Sequence, residues 1–249
     1  MTNRLPLIHI RRLVAADGQQ VGDYELGRLD RLIDLLAEAD AETPSAGFLA
    51  AGLLPVQQDR PPVLFATEET RTDWLARWCQ RLAASTYSSL LFVGADELDE
   101  PGRISAGDMP LVVGAGAIPV SRGETGEPLV GLELAALRRQ LAGSRERLSE
   151  AAGFPIRMLA PTPTATGRAI DGLVAREARR AGYTTLLKPG ASRPIETPLP
   201  DDPVPYYTCQ PEDAPEQLRD WVLGGLIALG STRLKQLTST PRAWLERFS

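Results

Sequence analysis

The chain has 249 residues, 43% apolar and 24% charged, with a formal charge of −5. That length suits one large domain or two small ones with a sizeable core, and the acidic balance gives no general pull toward nucleic acid or an anionic membrane surface. A single histidine, His9, excludes within this chain any metal site built on paired histidines, and any histidine triad that does not use His9 itself.

In chain order, "LPLIHI" (Leu5–Ile10) reads as a first strand, and Tyr24–Ala39 as a helix with Leu26, Leu29, Ile33 and Leu36 at helical spacing. "SAGFLAAGLLP" is ambiguous. "VLFAT" reads as a strand, and "TRTDWLARWCQRLAAS" as a helix with Thr70 or Thr72 as N-cap. Ser88–Gly94 and Pro110–Gly116 are continuous apolar runs, as expected for strands of a parallel sheet covered on both faces. Val130–Gly153 is the longest helical pattern, with a candidate break at Gly143 and Gly153 as its stop. "IRMLAPT", "TTLLKPG" and "VPYYTC" read as strands, and "AIDGLVAREARRAGY" as a helix ended by Gly182. Pro189–Pro205 reads as an ordered loop, "APEQLRDWVLGGLIALG" as a helix with Pro215 near its start, and "RLKQLTSTPRAWLERF" as a closing helical segment.

Seven or eight strands alternating with helices mean an α/β fold with mainly parallel strands, expected as one domain over residues 1–249. No glycine-rich phosphate fingerprint separates a strand from a helix, so a closed or nearly closed barrel is favoured over an open doubly wound sheet. Cys79 and Cys209 are too few and too distant for a disulfide framework or a zinc cluster. "MTNRLPLIHIRRL" has no apolar run of signal-peptide length, and "WVLGGLIALG" (Trp221–Gly230) is too short to cross a bilayer. The expected location is cytoplasmic.

Glu68 and Glu69 end the strand "PVLFAT" side by side. Mutual repulsion raises the pKa of one of two adjacent carboxylates, which suits a base near neutral pH. Acids here equally suit the positive end of the following helix, and both readings stand. Trp74 and Trp78, four residues apart, share a helix face and read as core. Tyr206 and Tyr207 alternate along a strand, one inward and one outward, and Tyr207 is the candidate for stacking on a ligand. His9 reads as a structural or pocket-wall residue rather than a catalytic base.

Taken together, these segments resemble the polysaccharide deacetylase family (NodB homology domain). "LPLIHIRRLV" resembles the family's "PVLMYH" strand, with His9 in the place of its His. "VLFATEETRTD" resembles "VLLTFDDGYRD" without a gap, and "TYSSLLFVGADEL" resembles the strand usually written "ATFFVVG". "MPLVVGAGAIPVSRG" lies where "HEIGSHTVTHPDL" is expected. The stretch from "LELAALRRQLAGSRERLSEAAGFPI" to "RRAGY" follows the family order of helix, strand, proline turn, helix and "AGY".

The resemblance implies a distorted (β/α)7-type barrel, deacetylase-like, with its site at the C-terminal ends of the strands. It implies metal-assisted removal of acetyl groups from a sugar polymer, one Asp acting as base and a second Asp with two His holding zinc. Carried over, Glu68 falls on the base and Glu69 on the metal Asp, while Gly116 and Val120 fall on the two histidines and cannot ligate. No zinc or other cofactor is therefore expected.

The leading expectation is a divergent deacetylase-like protein without metal-dependent activity, a pseudoenzyme of carbohydrate metabolism. It would bind carbohydrate, or support a protein partner in glycan assembly, through a cleft formed by His9, Glu68, Glu69, Asp73, Trp74, Gly116 and Tyr207. One alternative is a hydrolase removing acyl groups (C–N or ester) from a carbohydrate with Glu68 and Glu69. A second is a protein-interaction subunit using the arginine-rich helix Leu132–Leu148.

Overall fold

The computed structural model describes residues 6–15, 24–54, 60–190 and 202–223. Strand β1 (Leu7–Ile10) is followed by the short parallel pair β2 (Leu13–Val14) and β3 (Tyr24–Glu25), helix α1 (Leu26–Glu38) and one-turn helix α2 (Ala46–Ala50). Then come β4 (Leu64–Thr67), α3 (Thr72–Ala84), β5 (Ser89–Val93), two 3-10 turns at Ala95–Glu97 and Ala106–Asp108, and α4 (Met109–Gly114). The series ends with β6 (Ala117–Ser121), α5 (Leu134–Ala152), β7 (Met158–Leu159), α6 (Gly172–Arg180), β8 (Thr185–Pro189), β9 (Val204–Thr208) and α7 (Pro215–Leu223).

Seven strands close into an all-parallel barrel in the order β1-β4-β5-β6-β7-β8-β9, with β9 pairing back onto β1. The expected distorted (β/α)7 architecture is the one observed. Side chains alternate across a strand, and this alternation divides the core in two. Leu7, Leu64, Ala66, Leu90, Phe92, Ile118, Val120, Met158, Ala160, Leu187 and Tyr206 fill the barrel interior, with Leu49 of α2 packed against them. Ile8, Ile10, Phe65, Leu91, Val93, Leu159 and Leu186 point outward to the buried faces of the helices.

The apolar spacing of α1 buries Leu29, Leu32, Ile33, Leu35 and Leu36. On α3, Trp78 is fully buried and its indole N–H donates to Ser89 Oγ at 3.0 Å, so Trp78 is core as expected. Trp74 lies at the core's edge, under the guanidiniums of Arg71 and Arg77. The N-cap of α3 is Arg71 rather than Thr70 or Thr72, and it offers no side-chain cap.

Two segments differ from the reading of the sequence. Pro110–Gly116 is not a strand. It forms most of α4, with Pro110 in the first turn and Leu111 exposed, and the strand is the next stretch, "AIPVS". A short apolar run does not distinguish buried strand from buried helix, and Pro119 inside β6 disguises a true strand. Helix α5 runs through Gly143 without a break and ends where expected, at Gly153, whose φ of 77° needs no side chain. The expected loop at Pro189–Pro205 and the closing segment after Leu223 lie largely or wholly outside the described residues.

Candidate functional site

The parity that fills the barrel continues past the strand ends and builds its mouth. Beyond Leu64 and Ala66 the next residue of the same parity is Glu68. Beyond Ile118 and Val120 it is Arg122, beyond Met158 and Ala160 it is Thr162, and after Tyr206 it is Thr208. His9 follows Leu7 in β1. The upper interior is thus a polar cluster seated on Phe92 and Tyr206, whose rings lie 5.1 and 5.0 Å from the His9 ring.

Glu68 is the centre of this cluster. One carboxylate oxygen lies 3.3 Å from His9 Nε2 and the other 3.3 Å from Arg122 Nη1. The His9 contact is within ion-pair distance but is not aligned as a hydrogen bond, and Nε2 has no other partner. His9 Nδ1 lies 3.2 Å from Thr208 Oγ1. Burial alone would raise the Glu68 carboxyl. The His9 imidazole and the charges of Arg122 and Arg11 outweigh that and hold it at about 2.

This sets a sign for acid stability. The pairing of Glu68 contributes fully above the ordinary carboxylate value and is lost as pH falls from about 4.5 to about 2. An acid-unfolding series should therefore show Glu68→Gln with a shallower loss over that window than the wild type. Equal slopes would mean that the pair is not formed in solution.

Glu69 does not join the mouth. It is 1% exposed and turned away. Its Oε1 accepts from Arg71 N–H at 3.0 Å and Arg71 Nε at 2.8 Å, its Oε2 from Leu13 N–H at 3.3 Å, and its own N–H donates to Thr67 Oγ1. Arg71 also donates to the Leu13 carbonyl. Glu69 is a tie between the β4 and β1 loops, and the side-by-side acid pair of the sequence is separated by the strand's alternation.

The other expected site residues divide in the same way. His9 is at the mouth. Asp73 is exposed on the first turn of α3. Gly116 lies at the opposite end of the barrel, where its carbonyl accepts from Ser89 N–H at the start of β5. Val120 is buried in the interior. The register that put these two on metal-ligand positions fails because the strand begins at Ala117, and the inward-facing residue just past its C-terminal end is Arg122. Tyr207 faces outward, its ring 5.2 Å from Trp221 and its hydroxyl donating to Asp213 at 2.7 Å. Its neighbour Tyr206 is the inward one. Burial and then Glu68 push the Tyr206 hydroxyl up, with Arg122 pulling the other way.

Sequence reasoning missed Arg122, Thr162, Tyr206, Thr208 and Glu97. Arg122 is 13% exposed, donates to Thr162 Oγ1 at 2.7 Å and lies 3.5 Å from Glu97 Oε1. Glu97 is carried over the mouth because Ala95 and Asp96 donate their N–H groups to the Gly123 and Glu124 carbonyls. Two-residue alternation counted upward from the interior apolar positions would have found all but Glu97, the last residue of a 3-10 turn.

Zinc needs about three protein ligands, and this donor set does not fit it. Among the described residues no group of three or more His, Cys, Asp and Glu side chains could hold a metal. His9 and Glu68 are two donors, Glu69 faces Arg71, and beside Glu68 stands the guanidinium of Arg122. An open depression of about 720 Å³ lies elsewhere, against the outer side of α5 near Arg145, Glu150 and Phe154.

No family model matches the sequence, and no curated protein matches it. Solved structures do. The deacetylase PplD of Streptococcus pyogenes, in complex with acetate, superposes with a TM-score of 0.73 at 12% identity, covering 89% of this chain and 99% of that one. A polysaccharide deacetylase from Bacillus cereus gives 0.72 at 16% identity, with 89% and 69% covered. IcaB from Ammonifex degensii gives 0.69 at 14% identity, with 88% and 97% covered. At such identities the likeness is one of architecture: the chain has the barrel fold of the polysaccharide deacetylases.

Proposed function

We propose that this chain is a divergent, deacetylase-like barrel that binds carbohydrate at its mouth, in support of glycan biosynthesis, and does not carry out metal-dependent deacetylation. The observation that carries this reading is the pairing of Glu68 with Arg122 and His9. A carboxylate held by a guanidinium and locked well below its ordinary pKa is a poor base for water, and the same guanidinium opposes a divalent cation beside it. A cluster of carboxylates, hydroxyls and a guanidinium over aromatic rings suits sugar hydroxyls.

Hydrolysis by Glu68 and Glu69 together is disfavoured by the separation of the two side chains. A protein partner in glycan assembly belongs to the same proposal. So does a cytoplasmic location, with which the two free, buried cysteines accord. Among the described residues no helix is long and apolar enough to cross a membrane.

The test is a glycan-binding screen beside an acetate-release assay with and without zinc. The expected result is sugar binding that Glu68→Ala weakens about tenfold or more, with no zinc-dependent acetate release. Stoichiometric zinc in the purified protein together with zinc-dependent acetate release would falsify the proposal.

A further inference from the structure

One polar atom of the mouth is left without an explanation by the cluster just described. Glu97 Oε1 rests against Arg122, but Glu97 Oε2 is buried with no hydrogen-bond partner. Arg103 Nη1, at 3.9 Å, is engaged elsewhere: Arg103 donates to Thr70 and pairs with Glu100 at 2.7 Å. A carboxylate oxygen withdrawn from water without a donor is costly. Two remedies exist, a proton on that oxygen or a ligand group against it.

His9 Nε2 is a second buried polar atom of the mouth lacking a hydrogen bond, on a side chain only 2% exposed. Both atoms belong to the ring of groups around Glu68 and Arg122. Glu68 Oε2 and Glu97 Oε1 approach the same nitrogen, Arg122 Nη1, so these two oxygens can be no farther apart than the sum of those two contacts.

We propose that Glu97 is a ligand-contacting residue of the mouth, whose Oε2 carries a proton and donates it in a hydrogen bond to an oxygen of an uncharged sugar while Arg122 holds Oε1. This rests on the reading of the mouth as a sugar site and deepens it by naming the contact atom and its protonation state. No bond is made or broken in the sugar.

The surroundings support a protonated form. Burial is the largest influence on Glu97 and raises its pKa. Arg122, Arg103 and the Gly94 backbone lower it, and Glu68 raises it again. From the helical layer, Arg147 of α5 is engaged by Asp96. A group raised in this way takes up its proton within a range where a free carboxylic acid has lost it.

The experiment is calorimetric titration of a neutral oligosaccharide, taken from the binding screen, into the wild type, Glu97→Gln and Glu97→Ala across a pH series. Wild-type affinity should fall about tenfold as pH rises through the ionisation of Glu97. Glu97→Gln, whose amide donates at every pH, should bind with that dependence removed. Glu97→Ala should bind weakly throughout. Circular dichroism establishes that each variant is folded.

If sugar binds but Glu97→Gln keeps the wild-type pH dependence, or Glu97→Ala keeps wild-type affinity, the assignment of Glu97 is overturned and the sugar site survives. If the wild type binds no sugar at any pH, the sugar reading itself falls and takes this assignment with it.

Discussion

Glu69→Ala should lower the unfolding free energy by about 3 kcal/mol and leave sugar binding unchanged. The loss comes from charged hydrogen bonds made in a buried place, each contributing about 1.5–3 kcal/mol. The Leu13 amide, buried beneath the loop, is stranded without an acceptor. Arg71 is partly exposed and can return to water, which keeps the cost below that of abandoning a buried cation. Glu69→Gln, which keeps the shape and two acceptor contacts, should cost about half as much. Urea unfolding measures the first quantity and calorimetry the second. A Glu69 variant that kept its stability but lost its ligand would return Glu69 to the binding machinery, and the division of labour between adjacent acids would be wrong.

Arg122→Ala should be as damaging, about 3 kcal/mol, for the opposite reason. Here the group left behind is Glu68, largely buried, with His9 beside it and the charge of Arg11 still acting on it. Without the guanidinium the Glu68 carboxyl should rise, so acid unfolding should begin at higher pH than in the wild type. Adding Glu68→Gln removes the stranded charge. The double variant should recover about 1–2 kcal/mol of the loss. If Arg122→Ala is within about 0.5 kcal/mol of the wild type, or if the second substitution makes matters worse by its full single-variant cost, the two residues are not a coupled pair.

Much of the architecture was legible in the sequence because parallel barrels repeat a simple contrast: short apolar runs, then longer helical patterns. Leu26 to Leu36 and Val130 to Gly153 announced their helices. The barrel mouth was legible at His9 and Glu68 through the family resemblance. It was not legible at Arg122, because taking the apolar Pro110–Gly116 as a strand displaced the strand's end from Ser121 and hence the parity of everything after it. Tyr206 and Tyr207 show a related limit. Alternation says that one of them enters the barrel, but the phase comes only from the neighbouring strands, here from Ile8 pairing with Tyr207 and His9 with Thr208. Glu97 left no periodic trace, since its position depends on two backbone hydrogen bonds between loops.

The closure of β9 onto β1 also governs when the site can exist. His9 and Thr208 stand 199 residues apart along the chain and side by side in the barrel. Contacts of such separation form late, after the entropy of closing the intervening loop has been met. During synthesis His9 emerges 199 residues before Thr208, and its wall is incomplete until that stretch has followed. A nascent or truncated chain ending before Val204 holds Glu68 and Arg122 but lacks the Tyr206 and Thr208 side of the mouth. An intact mouth is therefore a report on completed folding, present only in chains whose β1 and β9 have met.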